Sequence, residues 1–390
     1  MAKSKKKWTK RRVSFLLSVC AFVASQLFVV FVPYGSVPVE FRPVYDGILK
    51  YRNKVVNRLN LPIDLYSAQK AIDLDGGSVK VYFAPSNAIK SKLVELLETA
   101  QRSIVVCVFE LNLPEVIETL VEKHKSGVDV RVIVDADYQH EKEMKELYRA
   151  EVPVHFDERR AFMHNKFAVI DGLRVWTGSY NFTSNGTYKN DNNAILIESE
   201  DLAENYTKEF DEMWNHNRGF FSSEGFGPKS SASTPNPKIE FSEFELENYF
   251  APEDRIEPKI LREISAAQKT IHVLAFSYTS DSIEALMKSK LRDGVLVKTL
   301  FHGSGAKTEY SAFAGLKKAG ADCQISFNTR GVMHHKVIII DSKVVITGSY
   351  NFSKNANESN DENILIIRSP HIARVYEEEF QRCRRGIKGY

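Results

Sequence analysis

Two closely similar stretches lie 170 residues apart in the chain and constrain the fold more than any other feature. "MHNKFAVIDGLRVWTGSYNF" begins at Met163, and "MHHKVIIIDSKVVITGSYNF" begins at Met333. Upstream, "AQRSIVVCVFE" at Ala100 corresponds to "AQKTIHVLAFS" at Ala267, 167 residues later. A repeat of this length indicates two copies of one structural unit within a single chain.

The repeat divides the chain into two predicted lobes, residues 76–221 and residues 239–390. The stretch between them, residues 222–238, is rich in Ser, Gly and Pro and poor in apolar side chains, which is typical of an exposed linker. Residues 33–75 precede the first lobe and are interpreted as a stalk that leads into it. We therefore expect two similar folded units in tandem.

Each lobe combines the sequence patterns of strands and of amphipathic helices. "VKVYF", "SIVVCVF" and "VDVRVIVD" are apolar and β-branched, whereas "SNAIKSKLVELLETAQ" has apolar residues at helical spacing behind a Ser that can cap the helix. The motif itself continues with two more strand patterns, "KFAVID" and "RVWTG" in the first copy. Strands that alternate with helices predict an α/β fold in each lobe, a mixed β-sheet flanked by helices.

The N-terminal region predicts a membrane segment. Residues 1–12 carry seven Lys and Arg side chains, and residues 13–32 contain no charged residue. Twenty residues in a helix span about 30 Å, the thickness of a bilayer core, and a basic flank favours a cytoplasmic N-terminus. We expect a transmembrane helix that is an uncleaved single-pass anchor, with the catalytic body outside the cytoplasm. The alternative is a signal peptide cleaved after Ser25, which would give a secreted protein.

Composition limits the classes of function without choosing among them. The formal net charge is +3, from 53 basic and 50 acidic side chains, so the overall charge does not indicate a nucleic-acid binder. The four cysteines form no CxxC pair and no spacing typical of metal ligands or of a disulfide framework. The sequence therefore indicates no metal site and no cofactor.

Each copy of the motif follows the pattern H-x-K-x4-D-x6-G-S-x-N. Side chains two residues apart on a strand project to the same face, so the imidazole and the ammonium converge on one position. Lysine offers three donors, and the Ser hydroxyl and Asn amide add neutral donors, a set that suits the oxygens of a phosphate group with lysines in place of a metal ion. The residues of the pattern are His164, Lys166, Asp171, Ser179 and Asn181 in the first copy and His334, Lys336, Asp341, Ser349 and Asn351 in the second.

The doubled motif resembles the HKD signature of the phospholipase D superfamily, and the resemblance covers the chain from Gly77 to the C-terminus. The ending "GSYNF", followed by "NDENILII" at Asn360, is most similar to bacterial Nuc-type endonucleases and mitochondrial cardiolipin hydrolases. Members of that branch carry one motif per chain and dimerise. The resemblance therefore implies that the two phospholipase D-like lobes form the same pair inside one chain, as an internal pseudo-dimer.

The resemblance also implies a mechanism. One histidine attacks phosphorus to form a covalent phosphohistidine, and the other protonates the leaving alcohol and then activates the acceptor. At the family position that hydrogen-bonds the active-site His, the second copy has Glu362 and the first has Asn192. Because a carboxylate raises the pKa of a neighbouring imidazole, we expect His164 to be the nucleophile and His334, held by Glu362, to be the acid and base.

The resulting set of candidate site residues is the motif plus Glu362. The expected catalytic residues are His164, Lys166, Asp171, His334, Lys336, Asp341 and Glu362. The expected phosphate-binding residues are Ser179, Asn181, Ser349 and Asn351. Each Asp lies seven residues beyond its His, past the predicted strand, so we expect Asp171 and Asp341 to brace the following turn more than to touch substrate.

The favoured function is a phospholipase D-type phosphodiesterase that hydrolyses glycerophospholipids or transfers their phosphatidyl group to another alcohol. Its expected partners are a phospholipid membrane and the phosphodiester substrate, with no obligatory protein partner. The alternative is a membrane-anchored endonuclease of the Nuc type acting on DNA or RNA, which would need a groove of basic and aromatic side chains. A scaffold with a decayed site ranks last because both motifs are intact.

Overall fold

The computed structural model describes residues 69–72, 79–216 and 233–386. The prediction of an N-terminal transmembrane helix, and the membrane localisation inferred from it, is corrected here, because no helix among these residues is long and apolar enough to cross a membrane. Residues 13–32 themselves, and most of the predicted linker, lie outside the described residues.

The first lobe consists, in chain order, of β1 (Gln69–Ile72), β2 (Val79–Ala84), α1 (Asn87–Glu98), β3 (Ser103–Val108), α2 (Pro114–Lys125), β4 (Asp129–Asp135), α3 (Met144–Arg149), β5 (Val154–Asp157), β6 (Lys166–Ile170), β7 (Arg174–Gly178), α4 (Ser184–Tyr188), β8 (Asn192–Glu198) and α5 (Glu200–His216). The second lobe consists of β9 (Lys238–Glu240), β10 (Glu245–Ala251), α6 (Ile256–Ala266), β11 (Thr270–Ala275), α7 (Asp281–Arg292), β12 (Leu296–Phe301), α8 (Ala312–Lys318), β13 (Asp322–Ile325), β14 (Lys336–Ile340), β15 (Val344–Gly348), α9 (Lys354–Glu358), β16 (Glu362–Arg368) and α10 (Pro370–Arg384).

Each lobe is built on one mixed eight-stranded sheet. The strand orders are β1-β2-β8-β7-β6-β3-β4-β5 in the first lobe and β9-β10-β16-β15-β14-β11-β12-β13 in the second, so the two sheets have the same topology. Strands β3, β4 and β5 are parallel to one another, as are β11, β12 and β13, and the remaining pairs are antiparallel. The predicted α/β fold with two similar lobes is therefore confirmed. Because β1 pairs with β2, the first sheet begins inside the stretch interpreted as a stalk.

The helices cover both faces of the sheets. Helices α1 and α2 pack on the outer face of the first sheet, and α6 and α7 occupy the same place on the second. Helices α5 and α10 lie between the sheets, where Tyr206 of α5 packs edge-on against Phe250 of β10 at 5.0 Å and Tyr376 of α10 packs edge-on against Phe83 of β2 at 5.5 Å. A buried apolar cluster therefore extends from one lobe into the other.

Gly348 ends β15 directly before the second motif serine, and the fold requires glycine there. Its φ is +153°, and a Cβ at this position would overlap the carbonyl oxygen of Asn363 on the neighbouring strand β16. The close approach of these two backbones brings the motif serine beside the first residues of β16.

We predict that Gly348→Ala lowers the free energy of unfolding by about 3 kcal/mol or more, because backbone strain and steric overlap add. Gly294→Ala is the matched control: its φ is +86°, but a Cβ there meets no atom within 4 Å, so only strain of about 1 kcal/mol is expected. Urea unfolding of both variants measures the difference. Equal destabilisation would contradict the close approach at Gly348.

Candidate active site

The motif residues lie at one edge of each sheet. Lys166 is the first residue of β6 and pairs with Val108, the last residue of β3, and Lys336 pairs in the same way with Ala275 at the end of β11. The site therefore lies at the carboxyl ends of the parallel strands β3 and β4 and of their counterparts β11 and β12. This edge is where open α/β sheets place their ligands.

The backbone of each motif histidine is bound to the opposite lobe. The His164 N–H donates to the carbonyl oxygen of Asp361 at 2.9 Å, and the His334 N–H donates to the carbonyl oxygen of Asp191 at 2.9 Å. Short parallel bridges, Met163 to Asp361 and Asp191 to Met333, accompany these bonds. The histidines are thus held in place by both lobes at once.

The ring of each histidine is also held by the opposite lobe, and this corrects the predicted pairing. His164 Nδ1 lies 2.8 Å from Glu362 Oε2, whereas His334 Nδ1 lies 2.8 Å from Asn192 Oδ1 and 3.1 Å from the carbonyl oxygen of Ser179. Glu362 therefore binds His164 and not His334. Glu362 and Asn192 begin β16 and β8, directly after the Asp residues that cross between lobes, so their side chains face the other lobe's histidine.

The two lysines are buried beneath the histidines. Lys166 Nζ donates to the His164 carbonyl oxygen at 2.6 Å, and Lys336 Nζ donates to the His334 carbonyl oxygen at 2.7 Å. Each ammonium also lies over a phenylalanine ring, Lys166 over Phe109 at 5.2 Å. The motif pattern does not include Phe109 and its counterpart Phe276, although both occupy the same place in the repeat, directly after a buried strand.

Burial and positive charge shift the titration of the site. Burial, together with the charges of both lysines, lowers the pKa of His164 and of His334 well below the usual value. Burial lowers the pKa of Lys166 to about 7, and burial with the charge of Lys166 lowers the pKa of Lys336 well below its usual value. Burial raises the pKa of Glu362 to about 8 against the pull of the lysines. These shifts indicate a buried pocket in which the basic groups repel one another, and a bound anionic phosphodiester would relieve that repulsion.

The two motif serines contact the residues that hold the histidine rings. Both are fully buried, Ser349 Oγ donates to Glu362 Oε2 at 2.6 Å, and Ser179 Oγ lies 3.2 Å from Asn192 Oδ1. Each hydroxyl therefore orients the residue that holds a histidine ring. Asn181 and Asn351 differ, because both side chains are half-buried and neither Oδ1 has a partner within the described chain. Asn181 and Asn351 thus stay candidates for phosphate binding.

The motif aspartates lie at the far ends of β6 and β14 and stabilise turns, as expected for bracing residues. The Asp171 carboxylate accepts hydrogen bonds from the backbone N–H groups of Gln101, Arg102 and Ser103 at 2.7–3.1 Å. Partial burial would raise the pKa of Asp171, but these three donors hold it below its usual value. Asp341 makes the same contacts with residues 268–270. The sequence placed both aspartates in the expected catalytic set, but in the structure each lies at the opposite end of its strand from the motif histidine and lysine.

Two buried arginines outside the motif bind the aspartates that cross between lobes. Arg382 of α10 pairs with Asp191 at 2.7 Å, and Arg159 pairs with Asp361. The repeat could not indicate these arginines because they occupy non-equivalent positions.

Near Arg382, the possible ligand atoms of His335, Glu379 and Cys383 lie within 4.8 Å of one another. Arg382 donates to Glu379 at 2.8 Å, and this fixed positive charge inside the group opposes cation binding.

Beside the active site, the segments that follow β3 and β4 form the lobe 1 wall, and the segments that follow β11 and β12 form the lobe 2 wall. The two walls differ in charge. In lobe 1, Phe109 packs edge-on against Tyr138 at 5.0 Å, Phe162 at 5.3 Å and His164 at 5.1 Å. Burial and nearby carboxylates raise the pKa of Tyr138 to about 12, and these carboxylates belong to Glu110, Asp137, Asp135 and Glu141. At two corresponding positions of lobe 2, 167 residues later, the acidic residue is absent: Ser277 takes the place of Glu110, and His302 takes the place of Asp135.

Comparison with known families identifies both halves of the chain with one domain type. A family model described as "Cardiolipin synthase, PLD-like domain" matches residues 93–214 and again residues 260–384. A mitochondrial cardiolipin hydrolase from Xenopus tropicalis is 38% identical over 126 residues, which are 32% of this chain and 60% of that protein. A phospholipase D from Rickettsia bellii is 32% identical over 161 residues, which are 39% of this chain and 80% of that protein. The chain thus spans about 60% of the length of the cardiolipin hydrolase it matches.

Two solved structures are similar to parts of this chain. Phosphatidylserine synthase from Haemophilus influenzae superposes with a TM-score of 0.59 and 14% identity over 87% of this chain and 92% of that one, a likeness of fold alone. Nuc from Salmonella typhimurium, a phospholipase D family member, is 28% identical with a TM-score of 0.36 and covers 38% of this chain and 99% of that one.

The lowered pKa of His334 predicts a loss of stability in acid. The unfolded chain binds a proton at His334 near pH 6.5 and the folded chain does not, so the free energy of unfolding falls as the pH drops through 6.5. Between pH 7.5 and 5.5, the wild type should lose about 1.4 kcal/mol more than His334→Asn. Urea unfolding at both pH values tests this, with the exposed His140→Asn as control. Equal pH dependence of wild type and His334→Asn would contradict a buried neutral imidazole.

Proposed function

Because the chain belongs to the phospholipase D superfamily, we propose that it is a phosphodiesterase that works through a covalent phosphohistidine and acts on glycerophospholipids. The observation that carries this proposal is the pair of buried imidazoles, each held at Nδ1 by the opposite lobe and each lying above a buried lysine. In the described part of the chain no hydrogen bond is made to Nε2 of either ring, so both Nε2 atoms are available to a bound phosphorus group.

In the first step a phosphodiester anion binds between the lysines and the Asn181 and Asn351 amides. Nε2 of one histidine attacks phosphorus, the bond from phosphorus to the leaving oxygen breaks, and its electron pair moves to that oxygen. The second histidine donates its Nε2 proton to the departing alkoxide. The lysine ammonium groups offset the charge that develops on the phosphoryl oxygens, the task that metal ions perform in kinase-type sites.

The second step reverses the proton transfer. Water or an acceptor alcohol gives a proton to the histidine that acted as acid, and its oxygen attacks the phosphohistidine. The phosphorus–nitrogen bond breaks, its electron pair returns to Nε2, and the product leaves as an acid or as a new diester. Hydrolysis and transfer to an alcohol therefore differ only in the acceptor that enters the site.

The observed pairing supports His164 as the nucleophile, for a reason different from the one that the sequence suggested. Attack by Nε2 leaves a positive charge on the ring, and that charge favours the ionised form of Glu362 at Nδ1, which stabilises the ring better than an amide does. Glu362 makes this contact with His164 at 2.8 Å, whereas His334 has the neutral Asn192. Burial meanwhile keeps His164 unprotonated before attack. His334 is then the acid and base, and the negative charge of the bound diester raises its pKa for that task.

The choice of lipid over nucleic acid is supported by the acidic wall of lobe 1. A strand of DNA or RNA extends on both sides of the phosphate under attack and needs cationic contacts along its backbone. On the lobe 1 side such a strand would meet the carboxylates Glu110, Asp137 and Glu141 beside the partly exposed ring of Phe162. A phosphodiester with a short headgroup and apolar chains avoids this repulsion.

We expect the protein in EDTA to convert phospholipid vesicles and a primary alcohol into a phosphatidyl-alcohol, and to leave single-stranded DNA and RNA intact. Mass analysis of the products in parallel reactions measures both activities. His164→Asn should abolish the lipid product, since no phosphoenzyme can form. Cleavage of nucleic acid with untouched lipid would instead establish a nuclease.

Roles of the two histidines can be separated with bis(p-nitrophenyl) phosphate, whose leaving group needs no acid. We expect His334→Asn to release about one p-nitrophenol per protein in a burst and then turn over about a thousandfold more slowly than wild type, because water lacks a base. His164→Asn should show no burst. Mass mapping should find the trapped phosphoryl group on the peptide that contains His164. A burst in His164→Asn but not in His334→Asn would reverse the assignment.

A further inference from the structure

His302 lies in the lobe 2 wall and replaces a residue that has a structural task in lobe 1. The corresponding residue, Asp135, accepts hydrogen bonds from the backbone N–H groups of Asp137 and Met163, each at 3.0 Å. His302 has no such task, because within the described residues its ring nitrogens make no hydrogen bond. Its backbone alone is fixed, by donation to the Ala275 carbonyl oxygen at 3.1 Å. The imidazole is therefore available to a ligand.

The ring of His302 is in contact with the reaction centre through Phe276. It stacks on Phe276 with ring centroids 5.3 Å apart, and Phe276 packs edge-on against His334 at 5.0 Å. Lys336 Nζ lies over the same phenylalanine at 5.0 Å. His302 is half-buried, and burial with the charge of Lys336 lowers its pKa. At neutral pH the ring is uncharged, with one donor and one acceptor nitrogen.

The proposed mechanism defines what lies on this side of the phosphate. If His164 attacks phosphorus, the leaving oxygen departs on the side of His334, and the acceptor oxygen later enters there. The leaving alcohol, and later the acceptor alcohol, therefore lies beside the lobe 2 wall near His334. Where lobe 1 has Glu110 directly after Phe109, lobe 2 has Ser277 directly after Phe276, so a hydroxyl group replaces a carboxylate at this position.

Resting on the function proposed above, we propose that His302 selects acceptor alcohols that carry a second hydroxyl group, with glycerol as the simplest example. One hydroxyl gives its proton to His334 and becomes the attacking oxygen. The neighbouring hydroxyl donates to one nitrogen of His302 or accepts from the other. A neutral imidazole matches a hydroxyl group, which is also both donor and acceptor, and offers no charge to an ammonium or carboxylate group.

The test measures how the phosphoenzyme divides between two acceptors of the same carbon number. The full chain is supplied with bis(p-nitrophenyl) phosphate and equal concentrations of glycerol and 1-propanol, and the two alkyl p-nitrophenyl phosphates are quantified by mass. We expect His302→Phe to lower the glycerol-to-propanol product ratio about fivefold, the value of one neutral hydrogen bond. His302→Gln, which keeps a donor and an acceptor, should stay within about twofold of the wild type.

The ratio of two products from one reaction does not depend on how much of a variant is folded, so a purely structural role of His302 would leave it unchanged. The exposed His140→Gln is the matched control and should retain the wild-type ratio. If His302→Phe still releases p-nitrophenol and forms alkyl products but keeps the wild-type glycerol-to-propanol ratio, the proposal is overturned. Absence of p-nitrophenol release from the wild type would instead overturn the proposed function, and the role of His302 with it.

Discussion

The exchange of hydrogen bonds between the lobes is the constraint on which the rest of the site depends. Each motif histidine donates its backbone N–H to an aspartate of the other lobe, and its ring is held by the next residue along, Glu362 or Asn192. Buried threonines repeat the pattern, with Thr177 donating to Asn363 and Thr347 to Asn193, each at 2.9 Å. Neither lobe alone can position its own histidine, so the interface and the active site are one structure.

Because the two lobes are parts of one chain, their sequences can diverge, whereas the two subunits of a homodimer are identical. The repeat retains the histidines, lysines and phenylalanines that make the pocket, and it differs at the residues around them. Glu362 and Asn192 give the two imidazoles different electrostatic partners. His302 and Asp135 give the two walls different chemistry. Such a site suits a reaction in which one histidine is the nucleophile and the other is the acid and base, and in which the two ester groups on phosphorus differ.

The parts of the site that were predictable are those encoded by local sequence or by the repeat itself. The spacing of the motif indicated two lobes, a strand start at each lysine and a turn braced by each aspartate, and the contacts of Asp171 and Asp341 agree. Ser86 was expected to cap a helix, and its hydroxyl accepts the N–H of Ala88 at 3.1 Å. The sequence did not indicate that the motif serines contact Asn192 and Glu362, because a motif shows which side chains recur but not which way they face.

By itself, the sequence determined the fold class, the duplication and the chemical character of the pocket, because strand period, helix period and repeat spacing are local properties of a chain. Only the tertiary structure decided that Glu362 binds His164 rather than His334. In a two-fold repeat, a residue that matches a family position can contact the histidine of either lobe, and the sequence is the same in both cases. The crossing of Asp191 and Asp361 between the sheets settles that choice. The structure also places Phe109 beside His164, and Phe276 with His302 beside His334, contacts that depend on how the strand ends pack.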